Sequence, residues 1–256
     1  MKKNVMVFDT ETTSLNKPFC YNVGYIIATI DTDTCITESL LEKEFVIEQV
    51  WHNPMCFCSA YYADKRPLYV KAMRARKISM AKWGRVTQEM IRDIKKHNVV
   101  AAYAYNSPFD DKVFTFNCDW FKTINPFDDL PIYDIRGHVH NSLISDSFLR
   151  FCEENERFTD SGNYSTTAET VYQYIVNNKD FEEDHTALSD SKIELSILIA
   201  ALENGAELEK DYLIKRTIPR LVEKVLTIKN SDNKIIAQYP NYGYTVYKSK
   251  DTIKLK

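Results

Sequence analysis

Glycine and proline are scarce in this 256-residue chain, at 6 and 8 residues, which excludes a collagen-like repeat and a low-complexity linker. Long hydrophobic runs are missing too. The longest, Val23 to Ile30, has the length of a strand and is too short to cross a bilayer, so no membrane association is expected. The 6 cysteines (Cys20, Cys35, Cys56, Cys58, Cys118 and Cys152) form no CxxC framework, and Cys56-Phe57-Cys58 with His52 upstream supplies only half of a tetrahedral metal set. No secretory core follows Met1-Lys2-Lys3, because the apolar stretch Val5 to Phe8 stops at Asp9. A cytoplasmic location with free thiols is the expectation.

What is present is a globular composition, 44% hydrophobic and 27% charged. At about 150 residues per domain, the length suits one full domain with an appendage or two small domains. The net charge of -3 conceals an uneven distribution. Lys65 to Lys96 holds eleven Lys or Arg against Glu89 and Asp93, a charge of +9, and Leu213 to Lys256 holds ten against Glu223, Asp232 and Asp251, a charge of +7. The remainder therefore carries -19. Such a division suits an acidic catalytic centre beside surfaces that attract a polyanion, and it equally suits solvated helix faces.

β-branched and aromatic content predicts strands at Asn4 to Phe8, Tyr21 to Ile30 and Glu44 to Trp51, joined by short polar turns into an antiparallel meander. A helix follows over Ser79 to His97, then a buried strand at Val99 to Tyr105. Ser107-Pro108 reads as a capped helix start leading through Phe121, and Pro131 to Ile135 as a short strand. Further helices are expected at Gly137 to Glu153, Thr167 to Asn177 and Ala187 to Asn204, the last stopped by Gly205. Strands first and then alternating strand and helix predict an α/β domain over residues 1–205, with a mixed β-sheet flanked by helices. Residues 206–256 read as a basic C-terminal extension, helical through Lys224 and then a small hairpin within Ile235 to Lys256.

Three segments carry acidic chemistry. Asp9 and Glu11 lie two residues apart at the end of the first strand, so strand alternation puts both on one side, where they begin a ligand set for a hard cation. Asp110 lies in the first turn of the helix after Asn106-Ser107-Pro108-Phe109; its neighbour Asp111 is equally acidic, and electrostatics alone does not choose between them. His185 and Asp190 open the Ala187 helix. Five helical residues turn by about 500°, so His185 belongs on the loop before the helix, where an imidazole can act as a base beside a fixed carboxylate.

In this order and at these separations, the segments resemble the three exonuclease motifs of the DEDDh branch of the ribonuclease H-like superfamily. Phe8 to Thr13 matches F-D-x-E-T-T, Asn106 to Asp110 matches N-x-x-F-D, and His185 to Asp190 matches H-x-A-x-x-D. Ser14 departs from the glycine many members have before Leu15. The span from Asp110 to His185 is long, and the motifs say nothing of the chain beyond Gly205. The resemblance implies a ribonuclease H-like fold and a 3′–5′ exonuclease that releases nucleoside 5′-monophosphates. It implies that Asp9, Glu11, Asp110 and Asp190 hold two Mg²⁺ or Mn²⁺ ions and that His185 takes a proton from the attacking water. It further implies that Leu15 wedges against terminal bases, that Thr10 and Thr12 meet the last nucleotide, that Phe109 supports the site and that Asn106 approaches substrate.

The expected substrate is a single-stranded DNA 3′ end. DNA stands ahead of RNA on general family usage only, since no residue identifies a 2′-hydroxyl sensor. Two other readings stay open: a 3′–5′ exoribonuclease trimming short RNA, and a non-catalytic nucleic-acid or replisome-binding module, with a replication or repair protein as partner. Lys71, Arg74, Arg76, Lys77, Lys82 and Arg85 are candidates for phosphate contacts. Tyr239, Tyr242, Tyr244 and Tyr247 are candidates either for base stacking or for packing on the main domain.

Overall fold

Strand β1, Lys2–Thr12, is apolar on both faces through Val5, Met6, Val7 and Phe8, and all four side chains are buried, as the central strand of a covered sheet requires. The computed structural model describes residues 1–58, 60, 63–214, 224–229, 234–241 and 250–254. β1 pairs antiparallel with β2, Cys20–Asp31, which pairs antiparallel with β3, Thr37–Ile47, giving the expected meander. β4, Ser79–Ala81, joins β3 in parallel, while β5, Ala101–Ala104, and β6, Ile132–Asp134, extend the other side in parallel. The order β4-β3-β2-β1-β5-β6 makes a mixed six-stranded sheet.

Helices cover both faces. On one lie α1, Glu48–Trp51, α2, Pro54–Phe57, α3, Arg66–Arg74, α4, Trp83–Lys96, and α5, Ser107–Phe121, over a core with Met6, Phe8, Tyr25, Trp83 and Phe114. On the other lie α6, Ile135–Ser142, α7, Asp146–Glu154, α8, Ala168–Ile175, and α9, Ala187–Glu203, over Val5, Val7, Tyr103, Val139 and Ile197. β1 alternation sends Val5 and Val7 to one layer and Met6 and Phe8 to the other. The later turns of α9, Ile197 to Leu202, are apolar all round because the helix packs on the sheet, α6 and α8 together. Among the described residues, no helix is long and apolar enough to cross a membrane.

Several local expectations change. The third strand stops at Ile47, and Glu48–Trp51 turns into α1, where Trp51 packs edge-on to Phe57 and Tyr69; tertiary packing overrides strand propensity there. Ser79–Ala81 is an edge strand rather than the start of α4. The helix expected over Gly137 to Glu153 is two helices, because Asp134 caps α6 through the Arg136 N–H and Ser145 caps α7 through the Phe148 N–H. Asn106, in left-handed conformation, occupies the N-cap of α5, and Ser107 is already helical.

Beyond Gly205 the described residues 206–214 hold no helix, and the rest of that expected helix, up to 223, lies outside the described residues. Ala206 is buried, and Leu208 and Tyr212 pack on the second core. Further on, β7, Lys224–Lys229, pairs antiparallel with β8, Ile235–Asn241, and parallel with β9, Lys250–Lys254. The extension therefore carries a three-stranded sheet in the order β8-β7-β9, and its hairpin closes before Ile235. Tyr239 lies in β8; Tyr242, Tyr244 and Tyr247 fall outside the described residues.

Candidate active site

The parallel pairing of β1 with β5 brings their carboxyl ends to one edge of the sheet, where α5 begins. Asp9 and Glu11 continue the Val5–Val7 side of β1 up to an irregularity between Glu11 and Thr12. α9 comes in over the neighbouring strand: a Cβ on Gly24 would lie 2.1 Å from the Leu188 nitrogen, so only glycine admits so close an approach. The Ser191 hydroxyl, 2.7 Å from the Ala187 carbonyl of its own helix, also lies 3.2 Å from the Gly24 carbonyl, which holds the first turns of α9, including Asp190, beside β2.

The second motif folds inward. Asp110 is 3% exposed and its Oδ1 accepts a hydrogen bond from Thr10 Oγ1 at 2.6 Å, whereas Asp111 faces solvent, which decides between them. Asp134 holds the turn by accepting the Asn106 N–H at 2.9 Å and the Arg136 N–H at 2.8 Å. The third motif meets the first: ligand atoms of Glu11, His185 and Asp190 lie within 4.8 Å of one another.

These carboxylates crowd one another away from water. Burial foremost, then Asp110, Glu11 and Glu183, raise Asp9 well above the usual carboxylate range. Burial and then Asp190 push Glu11 to about 8; burial pushes Asp110 to about 7 against the opposing Thr10 bond; burial, Asp9 and Glu183 push Asp190 to about 9. His185, half-buried, is moved the other way by burial and then by the Lys65 cation, which favours the neutral ring a base needs. Asp190 Oδ1 is buried with no hydrogen-bond partner among the described residues. Carboxylate oxygens of like charge, with an orphaned one on Asp190 among them, are a donor set that fits a hard divalent cation.

The flanking residues differ in placement. Thr10 is buried, Thr12 half-buried, and Phe109 packs partly against the first core. Leu15 is 72% exposed, with Lys112 Nζ donating to its carbonyl at 2.9 Å, so it is not a core residue. Asn106 is exposed at the turn. Of the basic segment, Lys71, Arg74, Arg76, Lys77 and Lys82 are exposed or partly so, but Arg85 pairs with Glu89 at 3.2 Å. Arg66 lies over the Trp51 ring, and Lys65 faces the His185 loop.

Sequence reasoning misses three acids here. Glu183 is pushed to about 7 by burial and Glu169, and its Oε2 lies 3.6 Å from His185 Nδ1; as one of three successive acids, Glu182 to Asp184, it carries no distinguishing sign. Glu169 groups with Glu183 and His185. Glu194, 4% exposed, is driven well above the usual range by burial, Asp9 and Asp110. Its position four residues after Asp190, on the same face of the helix, is a signal that finds it.

No model of a known protein family matches the sequence, nor does any curated protein. Among solved structures, the chain is similar to the nuclease domain of 3′hExo, a DEDDh family member, bound to rAMP, with TM-score 0.53 and 13% identity over 82% of this chain and 98% of that one. It is also similar to a full-length 3′-exonuclease, with TM-score 0.51 and 14% identity over 80% of this chain and 62% of that one. At such identities the likeness is one of fold, and the fold is the ribonuclease H-like mixed sheet that the motifs imply.

Proposed function

We propose that the chain is a metal-dependent 3′–5′ exonuclease that hydrolyses single-stranded nucleic acid ends to nucleoside 5′-monophosphates. The observation that carries this reading is the meeting of Glu11, His185 and Asp190 within 4.8 Å, with the charges of Asp9 and Asp110 beside them, at the strand ends of a nuclease-type fold. Acids so buried and mutually repelling cost stability, and a binding or scaffolding role supplies no reason to keep them.

In this reading the four carboxylates hold two Mg²⁺ or Mn²⁺ ions, which when bound supply charge stabilisation to the attacking and leaving oxygens of the phosphodiester. His185, kept neutral by burial and Lys65, takes the proton of the attacking water. The Thr10 hydroxyl fixes the Asp110 carboxylate for its role. Leu15, exposed beside the site, wedges against the terminal bases, while Thr12 and Asn106 meet the last nucleotide. Exposed Lys71, Arg74, Arg76, Lys77 and Lys82 give the strand sequence-independent affinity that weakens with salt.

DNA is the proposed substrate. RNA is the second reading, favoured by the likeness to a nuclease domain whose structure holds rAMP. Matched 5′-labelled DNA and RNA oligonucleotides with free or blocked 3′ ends, incubated with Mg²⁺ or Mn²⁺, test both. Shortening from free 3′ ends only, faster on DNA, is the expected result. Faster loss of RNA shifts the substrate, and intact oligonucleotides of both kinds over a wide range of protein concentration remove the enzyme reading.

A further inference from the structure

His185 has a left-handed backbone, with φ of 51°. For a residue with a side chain this conformation costs about 1–2 kcal/mol and persists where neighbouring groups fix it. The fixing groups come from two separate parts of the chain. From the segment between β3 and β4, Lys65 Nζ donates to the Asp184 carbonyl at 2.7 Å, and the Tyr69 hydroxyl lies 3.3 Å from the His185 carbonyl. From β2, Asn22 Oδ1 accepts the Ala187 N–H at 2.8 Å and lies 3.1 Å from the same Tyr69 hydroxyl. Asn22 is itself oriented by donating from Nδ2 to the Phe45 carbonyl at 3.0 Å.

Every peptide around the histidine is thus tied. Tyr69 and Asn22 are fully buried, and the Tyr69 ring stands edge-on to Tyr21 and Trp51, which leaves its hydroxyl no room to swing away. That hydroxyl has one proton and three oxygens around it, Asn22 Oδ1, the His185 carbonyl and the Tyr21 hydroxyl, so it joins the strand and the loop through one shared bond. Nothing in the three acidic motifs calls for these residues. Lys65 and Tyr69 sit in an excursion from the sheet, residues 48–78, that packs on the first core through Trp51, Phe57 and Tyr69.

We propose that Tyr69 and Lys65 are positioning residues that latch the His185 loop, making the placement of the proton acceptor depend on the 3₁₀ turn Ala63–Lys65 and α3. This rests on the reading of His185 as the base. Removing one latch bond leaves the carboxylates in place but lets the imidazole wander, and a misplacement of about 1 Å is enough to slow a proton transfer by one to two orders of magnitude.

The test is a double-mutant cycle on the full chain, read as single-turnover and steady-state rates on a labelled oligonucleotide at saturating Mg²⁺, for wild type, Tyr69→Phe, His185→Ala and the double variant. Tyr69→Phe is expected to lower kcat about tenfold while KM and the Mg²⁺ concentration for half activation stay unchanged. In the His185→Ala background it is expected to lose nothing further, because the residue it positions is gone. Lys65→Met, cycled in the same way but compared at saturating Mg²⁺ only because it also removes the cation beside Glu11, Asp190 and His185, is expected to lower kcat alike and serves if Tyr69→Phe does not fold. A wild-type kcat in both Tyr69→Phe and Lys65→Met, or losses that multiply in the double variants, overturns the latch and leaves the base reading standing on His185→Ala alone. A wild-type rate in His185→Ala overturns the base reading and the latch with it.

Discussion

Asp9 stands at the point of greatest conflict between folding and chemistry: half-buried on the central strand, it faces the charges of Asp110, Glu11 and Glu183. Asp9→Asn keeps the shape and removes the charge, so two effects of opposite direction are expected. Metal-dependent hydrolysis should fall about a thousandfold or more, the equivalent of several kcal/mol of charge stabilisation. The metal-free protein should melt higher than wild type, because a repelling buried carboxylate is gone. Parallel oligonucleotide assays and thermal melts in chelator read both, and a variant that is inactive only because it melts lower would show that Asp9 is structural. The same residue-by-residue view explains which acids could be found in the sequence. Asp9, Glu11 and Asp190 are marked by position in a strand or helix start, whereas Asp110 is separated from Asp111 in the sequence only by the resemblance of Asn106 to Asp110 to the second motif, and in the structure by its bond to Thr10, a fact of packing. Glu183 is hidden among equals, and Asn22, Lys65 and Tyr69 act through single hydrogen bonds to a distant loop, for which local sequence holds no pattern.

At the level of elements, strands with strong apolar content were readable and the joints between them were not. β1 and β2 follow from their β-branched runs, and α9 ends at Glu203, two residues before Gly205, whose φ of 92° is the left-handed stop expected of a glycine after a helix. Glu48–Trp51 and Ser79–Ala81 change type because their neighbours, not their own propensities, decide them. The segment after Gly205 is a stronger case. Glu209 N–H donates to Tyr103 Oη at 2.9 Å, Tyr212 Oη accepts the Glu207 N–H at 2.8 Å, and the Tyr212 ring stands edge-on to His138 at 5.0 Å. Its main chain crosses α6 so closely that a Cβ on Gly137 would lie 2.5 Å from the Tyr212 carbonyl oxygen. Truncation after Ile214 should therefore preserve the melting temperature of the main transition. Truncation after Gly205 should lower it by about 5 °C or more, since uncovering Tyr212, Leu208 and their surroundings forfeits roughly 2–3 kcal/mol. Equal melting temperatures for the two truncations would mean that residues 206–214 contribute nothing to the domain.

For the whole molecule, the acidic centre should set how stability responds to pH and to metal. In the metal-free protein Glu11, Asp110, Asp190 and Glu183 take up their protons at about 8, 7, 9 and 7, far above the 3.8 to 4.5 of ordinary carboxyls. Between those limits the folded chain holds protons that the unfolded chain has released, so stability falls as pH rises, with the full contribution present only below about pH 4 and lost through pH 7 to 9. His138, buried and lowered from 6.5, works in the opposite direction: its contribution is present above 6.5 and lost as pH falls below it. A scan from pH 7 to 9 lies above the histidine range; the Met1 amine and the thiols of Cys20, Cys35, Cys118 and Cys152, also raised in the folded chain, slope the same way, so the acids are read as the part of the slope that Mg²⁺ and Asp190→Asn remove. In chelator the melting temperature should drop across this range by about 3 °C or more, the shift expected of roughly 1.4 kcal/mol in a domain of this size. Mg²⁺ should raise the melting temperature most at the alkaline end, because a cation binds the ionised carboxylates and displaces protons from the rest. Asp190→Asn should flatten the chelator slope and weaken the Mg²⁺ response together. A slope that survives both Mg²⁺ and Asp190→Asn would locate the titrating groups elsewhere and separate the buried acids from the binding of metal.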